Sequence, residues 1–393
     1  MVPSLDQSSG GPLRSVFDLA SSTAAYGLQS QIAGVGESSA ADNPSRETVV
    51  HSFSAKWSKS YAYSPGLKSW LRANIEQFDG VLLHGMWQYP AFAAASECRR
   101  AHMPYVCVPH GMLEPWAVSG QGWPKYFKKF IYWHLAEKRS LHSAAGIVFA
   151  TSRECRLARD VFSFPLLCTI LPPFGVSEPH DTMQESVRDD IVRLNSSSYA
   201  LFLGRIHPKK NLELLLRCWA SARREDDWQL VIAGPAQVDY LTQLKCLAES
   251  LNIDHKVRFL RFVSGVDKAH LLRNAKWLLL PSKQENFGIV VLEALQYGCP
   301  VAMSDQVFLA DEFVDSAAIL PLQMNDWTAF FRLRMADEAY RSTCIEKGRE
   351  VLFRQYNIET VAKLWAAALG ALFRCRCAAD PAMRIRASGG VRQ

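Results

Sequence analysis

Residues 199–213 read Tyr199-Ala200-Leu201-Phe202-Leu203-Gly204-Arg205-Ile206-His207-Pro208-Lys209-Lys210-Asn211-Leu212-Glu213. An apolar run closed by glycine and followed by a helical pattern describes a buried parallel strand passing into a helix. A strand over Ala200–Leu203 and a helix over Asn211–Arg224 are predicted. Arg205 and Lys210 then sit at the carboxyl end of a strand beside a helix N-terminus, where doubly wound sheets bind their ligands. The helix end supplies unsatisfied N–H groups and partial positive charge. A guanidinium fork and a lysine point charge added there suit a diphosphate. Two solvated surface cations would leave the same trace, so the surroundings must decide.

Outward from this stretch the same alternation continues. Ile147–Phe149, Gln229–Ile232, Val257–Phe259 and Trp277–Leu280 are further short apolar runs, and Tyr240–Ser250 and Lys268–Asn274 are helical in pattern. Strands alternating with helices predict a parallel sheet covered on both faces. Pro172 and Pro173, then the polar stretch 178–198, mark a boundary between two α/β halves. Domains are therefore expected at 1–175 and 176–372, with 373–393 as a basic, disordered tail. A chain of 393 residues also exceeds what one core usually supports.

Composition narrows the function. A net charge of +6 suits phosphate-bearing ligands or an anionic surface but is too mild for a dedicated nucleic-acid binder. The ten cysteines are scattered without zinc spacing, which fits a reducing, cytoplasmic compartment. No apolar run is long enough to cross a bilayer, and Met1–Gly11 does not read as a signal peptide.

A second motif follows the strand Trp277–Leu280: Pro281-Ser282-Lys283-Gln284-Glu285-Asn286-Phe287-Gly288, then Ile289–Gly298 and Cys299-Pro300-Val301. A helix is expected from Phe287 or Gly288 to Gly298, with Glu285 in the loop before it and Glu293 two turns in. Eight residues of helical rise separate two backbones by about 12 Å. Glycosidase carboxyl pairs stand roughly 5–9.5 Å apart, so these two carboxylates suit separate contacts along one extended ligand. A helix cap at Glu285 and a neighbour's ion pair at Glu293 would explain them equally well.

Taken together these motifs resemble retaining glycosyltransferases of family 4. The resemblance rests on Gly204-Arg205 with Lys210-Asn211, Ile232-Ala233-Gly234-Pro235, Val257-Arg258-Phe259-Leu260, and Glu285 and Glu293 with Gly298, Pro300 and Val301, all in the family's order. It is strongest over 199–320. In the first half, Ser9-Gly10-Gly11-Pro12, His84-Gly85-Met86-Trp87 and Pro109-His110-Gly111-Met112-Leu113-Glu114-Pro115-Trp116 resemble bacterial enzymes that build surface polysaccharides.

The resemblance implies the GT-B architecture, two Rossmann-like domains facing each other across a cleft. The first would serve the acceptor and the second the nucleotide sugar. It implies that Arg205 and Lys210 bind the diphosphate and that Glu285 contacts the transferred sugar. Backbone N–H groups of Asn286, Phe287 and Gly288 would lie near sugar or phosphate, and Glu293 would hold the ribose. Gly11 would let backbone approach the donor phosphate. His110 would stand near the reacting sugar, although a packed structural histidine is the plain alternative. Transfer would retain configuration by a front-face route, without a cofactor; no metal is expected, there being no Asp-x-Asp. The partners implied are a nucleotide-diphosphate sugar and a carbohydrate or lipid-linked carbohydrate acceptor, with no nucleic acid.

Three departures stand out. The family's opening strand is missing or stunted ahead of Gly10-Gly11, which would suit a misassigned start or a truncated gene; Arg261 stands where the family usually has glycine; and Pro172-Pro173-Phe174-Gly175-Val176 replaces its usual hinge sequence. Trp123–His142 mixes aromatic and basic residues, which reads as a membrane-surface element or as a packed helix with a solvated basic face. A catalytically impaired binding homologue and a GT-B epimerase remain rivals. A phosphorylase lacks room for its cofactor insertion, and no Gly-x-Gly-x-x-Gly supports a nicotinamide enzyme.

Overall fold

The computed structural model describes residues 1–6, 11–37, 48–57, 60–115, 123–162, 164, 167–177, 187–222 and 227–379. Two compact units divide the chain: Met1–Gly175 with Ile358–Gln393, and Val176–Asn357. The strands are β1 (Ile32–Val35), β2 (Val50–Phe53), β3 (Val81–His84), β4 (Tyr105–Val108), β5 (Gly146–Phe149), β6 (Cys168–Ile170), β7 (Tyr199–Leu203), β8 (Gln229–Ala233), β9 (Val257–Leu260), β10 (Trp277–Leu280), β11 (Val301–Ser304) and β12 (Ala318–Leu320).

In the second unit six parallel strands run in the order β12-β11-β10-β7-β8-β9. Strands β7, β10 and β11 are buried throughout, so their uniform apolar character needs no alternation. Starting from β7 the chain builds β8 and β9 on one side, then returns to lay β10, β11 and β12 on the other. The reversal falls between β7 and β10, which pair through Trp277↔Ala200 and Leu278↔Leu201. Loops leaving two such strands diverge to opposite faces and leave a crevice between them.

The first unit pairs β3-β4-β5-β6 in one parallel sheet and β1-β2 in another. Met1–Leu5 joins them. The Met1 amine donates to Leu82 O at 2.9 Å, and His84 N–H donates to Met1 O at 3.0 Å. On the other side, Val2 N–H donates to Ala33 O and Leu5 N–H to Val35 O. Val2 and Leu5 are buried. The opening strand, expected to be missing or stunted, is a short segment with backbone hydrogen bonds on both edges. Gly11 opens the helix Gly11–Thr23, while Ser9 and Gly10 lie outside the described residues.

The expected second domain, 176–372, is corrected at its end. The helix Ile358–Ala379 returns to the first unit, so 358–372 belongs there and 373–379 continues a helix instead of starting a tail. Its Val361, Trp365, Leu369 and Leu372 bury themselves with Leu19, Val106, Val108, Val148 and Leu171. Each such side chain contributes roughly 1.5–3 kcal/mol by leaving water, so the helix follows its apolar face and not the order of the chain. Trp365 Nε1 also donates to Pro172 O at 2.8 Å. Residues 380–393 lie outside the described residues. Among the described residues no helix is long and apolar enough to cross a membrane.

Candidate functional site

At the second unit's strand reversal, the two sequence motifs meet. Gly204 and Gly234 let the backbones after β7 and β8 nearly touch: a Cβ on Gly234 would stand 2.0 Å from Gly204 O. Gly204 N–H donates to Ala233 O at 3.0 Å and Ile206 N–H to Pro235 O at 2.8 Å. The chain then makes a 3₁₀ turn, Pro208–Lys210, capped at its start by the His207 side chain accepting from Lys209 N–H at 3.1 Å. Asn211 turns through φ 57° before the helix Leu212–Ala222 begins. This sharp turn holds Lys210 against the sheet edge. Arg205 is solvent-exposed at the same edge. His207 shows the combined field: its pKa is pushed down first by burial, then by Arg205, Lys209 and Lys210.

The loop after β10 is tied to that turn and to its neighbours. Lys283 N–H donates to Lys209 O at 2.9 Å, and Ser304 Oγ–H donates to Ser282 O at 2.6 Å. Glu285 is clamped through its backbone, donating to Gln306 O at 3.2 Å and accepting from Phe308 N–H at 3.0 Å. With its main chain fixed, the Glu285 carboxylate Oε2 accepts from Lys210 Nζ. Both groups remain about one-fifth exposed, at 23% and 18%, so a ligand can reach them.

The expected helix starts slightly later, at Ile289, because Gly288 serves as its cap with φ 73°. A Cβ there would press on Glu285 Cγ at 3.3 Å and Val307 Cγ1 at 3.4 Å, so glycine both permits the turn and leaves room for Glu285. The Phe287 ring is buried and meets Tyr356 edge-on at 6.0 Å. What Phe287 can offer a ligand is its backbone, while the ring anchors the loop. Glu293 Oε1 accepts from Lys268 Nζ at 2.7 Å. Lys268, on the helix Gly265–Asn274, was not singled out from the sequence. It opens the expected helix Lys268–Asn274, but nothing local announces a partner 25 residues away.

The first unit has its own cluster at the carboxyl ends of β3, β4 and β5. His84 Nδ1 and His110 Nε2 are 3.0 Å apart, with the rings stacked at 5.3 Å and 21°. One ring must donate and the other accept. Burial pushes the His110 pKa down to about 4, and burial followed by the neighbouring His110 holds His84 well below its usual range. Both rings are neutral near pH 7. His110 adopts φ 52°, a conformation uncommon for a residue with a side chain. The next residue explains how it is kept: Gly111 N–H donates to Glu154 Oε1 at 2.5 Å, and Ala150 N–H donates to Oε2 of the same carboxylate at 2.7 Å. Glu154 is buried, so it staples the loops after β4 and β5 together. Nearby, Glu137 Oε1 accepts from Trp87 N–H at 2.6 Å, and burial raises the Glu137 pKa to about 7. His84 was quoted only as part of a motif, with no site role, and neither glutamate was given a role from the sequence.

Known proteins resolve what kind of molecule this is. A model of glycosyl transferases group 1 matches residues 184–351, and a glycosyl transferase 4-like domain model matches residues 10–173. Each unit thus matches a glycosyltransferase domain model over most of its length. The chain is 30% identical over 167 residues to an uncharacterized glycosyltransferase of Methanocaldococcus jannaschii, covering 42% of each chain. Similarity to the alpha-1,3/1,6-mannosyltransferase ALG2 of Kluyveromyces lactis is 31% over 140 residues, covering 28% of each. The chain thus spans less than half the length of these curated relatives. Among solved structures, Anabaena HepE in complex with UDP and glucose matches with a TM-score of 0.73 at 16% identity, covering 94% of this chain and 99% of that one. Sucrose-phosphate synthase from Thermosynechococcus elongatus matches with 0.73 at 18% identity, covering 93% and 94%. The fold is that of the GT-B glycosyltransferases.

Proposed function

We propose that this chain is a retaining family 4 glycosyltransferase that moves a sugar from a nucleotide-diphosphate sugar to a carbohydrate or lipid-linked carbohydrate acceptor. Its setting would be surface or exopolysaccharide synthesis at the cytoplasmic face of a membrane. The observation that carries this reading is the meeting of Lys210 and Glu285 at the strand reversal, with Arg205 beside them and a helix N-terminus on either side.

Departure of a nucleoside diphosphate builds negative charge on the bridging oxygen. Groups fixed beforehand at that point stabilise the transition state more than the ground state. Arg205 and Lys210 supply full charges, and the backbone N–H groups of Asn286, Phe287 and Gly288 supply dipoles. Glu285 holds Lys210 extended until the donor arrives. The diphosphate then takes over the ammonium and frees the carboxylate for the sugar's hydroxyls. Glu293, steadied by Lys268, holds the ribose. No metal is assigned to the site, because these cations meet the leaving group's charge. His110 is neutral, so near the sugar it can donate or accept a hydrogen bond without adding charge. The complex with UDP and glucose named for HepE and the mannosyl transfer named for ALG2 are in keeping with this class of chemistry.

The test is thermal unfolding of the full chain against UDP- and GDP-sugars, followed by transfer assays with the responding donor. A donor at 100 times its Kd should stabilise by about 2.7 kcal/mol, and Glu285→Ala or Arg205→Ala should reduce that shift. A folded wild-type protein that responds to no nucleotide sugar would overturn the proposal.

A further inference from the structure

Between Trp123 and His142 the first unit carries a helix (Trp123–Tyr132), a π-helical turn (Trp133–Glu137) and a short helix (Lys138–His142). Trp133, Ala136, Glu137, Ser140 and Leu141 are buried and fix this element to the unit. Its other face points outward with the wrong polarity for water. Phe127 is 62% exposed, Phe130 49%, Ile131 43% and Leu135 77%. Their spacing of three and four residues puts them on one side of the helix. The exposed row then continues into Lys138, Arg139 and His142, with Lys128 and His134 also exposed. Across all twenty residues the single acidic group is Glu137, and it faces inward on Trp87 N–H.

We propose that this face docks the protein on an anionic lipid bilayer. Large apolar side chains can enter the boundary between headgroups and acyl chains, while lysine and arginine stems lie along it and keep their charges at the phosphates. The charge pattern selects that occupant. A second copy of the chain would bring the same face against itself, setting Lys128, Lys138 and Arg139 against like charges with no exposed carboxylate to offset them. An anionic surface offsets all of them at once. The inference does not rest on the transferase reading, since binding to lipid needs neither donor nor acceptor.

The experiment is co-sedimentation of the full chain with vesicles of phosphatidylcholine alone and of phosphatidylcholine mixed with phosphatidylglycerol, at low and high salt. Pelleting with the anionic vesicles at low salt and little with the neutral ones is expected. The pairs Phe127→Ser with Leu135→Ser, and Lys138→Glu with Arg139→Glu, should each weaken anionic-vesicle binding at least about tenfold. Their melting temperatures should stay close to wild type, because the altered side chains face outward. Failure of the wild type to pellet, or equal pelleting with both vesicle types, would overturn the proposal without reference to any variant. So would a concentration-dependent dimer in sedimentation velocity that the Phe127→Ser, Leu135→Ser pair abolishes, since the face would then belong to a second copy.

Discussion

At the carboxyl edge of the second unit's sheet, carboxylates meet ammonium groups: Lys210 with Glu285, and Lys268 with Glu293. At the same edge of the first unit's sheet, two neutral imidazoles meet each other, and the carboxylates of Glu154 and Glu137 are spent on backbone N–H groups. The first arrangement keeps its charged groups about one-fifth exposed and exchangeable, as the proposed phosphate contacts would require. The second buries its polar groups and converts them into loop geometry. One sheet type thus supports a site built to handle charge and a site built to hold shape, and each can be broken separately.

The largest effect is expected on the charged edge. Lys210→Ala should lower transfer by about 10²–10³-fold, since it removes a cation from the leaving group, while unfolding by urea should change little because the pair is part-exposed. An equal loss of activity and stability would mean that Lys210 is structural and that the contrast between the two edges fails.

On the other edge the expected loss is of stability. Glu154→Ala strands two backbone N–H groups, each worth about 1–3 kcal/mol when left unpaired, so a destabilisation of about 2–6 kcal/mol is expected in chemical denaturation. A neutral outcome would show that water reaches these groups and that the loops after β4 and β5 are not stapled by this carboxylate.

A pH series sharpens the same contrast. Burial raises the folded Glu137 pKa from 4.5 to about 7, so between those values the native state holds more proton than the unfolded chain. Its contribution to stability therefore falls as pH rises through that window, by about 3 kcal/mol in all. The histidines act in the opposite sense. With folded pKa values depressed below 6.5, their contribution is full above 6.5 and is lost as pH falls towards about 4, the value for His110. Glu137→Gln keeps an acceptor for Trp87 N–H but removes the first slope. Its advantage over wild type should grow between pH 5 and pH 8, and a constant difference would show that Glu137 is solvated.

The smallest effect concerns the second ion pair. Lys268→Met should raise the donor KM about three- to tenfold with kcat little changed, as expected where an interaction serves ground and transition states alike. A fall in kcat with KM unchanged would place Lys268 closer to the reacting bond than Glu293's proposed ribose contact allows.

Much of the second unit was legible because its signals are local. The run Tyr199–Leu203 is buried at every position, Gly204 and Gly288 hold backbone angles that glycine favours, and Gly298 ends its helix at φ 73°. Glu285 and Glu293 were found because their spacing around one helix start is visible in the chain. The first unit was harder to read. His110 stood out by its place before Gly111, but His84 lies 26 residues earlier and Glu154 lies 43 residues beyond Gly111, and no period links them. Residues 358–372 were placed in the second domain, and 373–379 in a tail, because adjacency in sequence was taken for adjacency in space.

The sequence by itself determined the parallel α/β class, the strands β5, β7, β8, β9 and β10, the place of Arg205 and Lys210 at a strand end, and the two carboxylates around the start of the helix Ile289–Gln296. These follow from hydrophobic periodicity and from glycine's conformational range, both properties of a few neighbouring residues. Only the tertiary structure decided that the reversal of strand order falls between β7 and β10, that Lys268 pairs with Glu293 and His84 with His110, that Met1–Leu5 fills a slot between β1 and β3, and that Phe127, Phe130, Ile131 and Leu135 face outward. Those are choices among distant surfaces, made by which faces lose most apolar area together and which buried polar groups find partners, and no short stretch of chain encodes them alone.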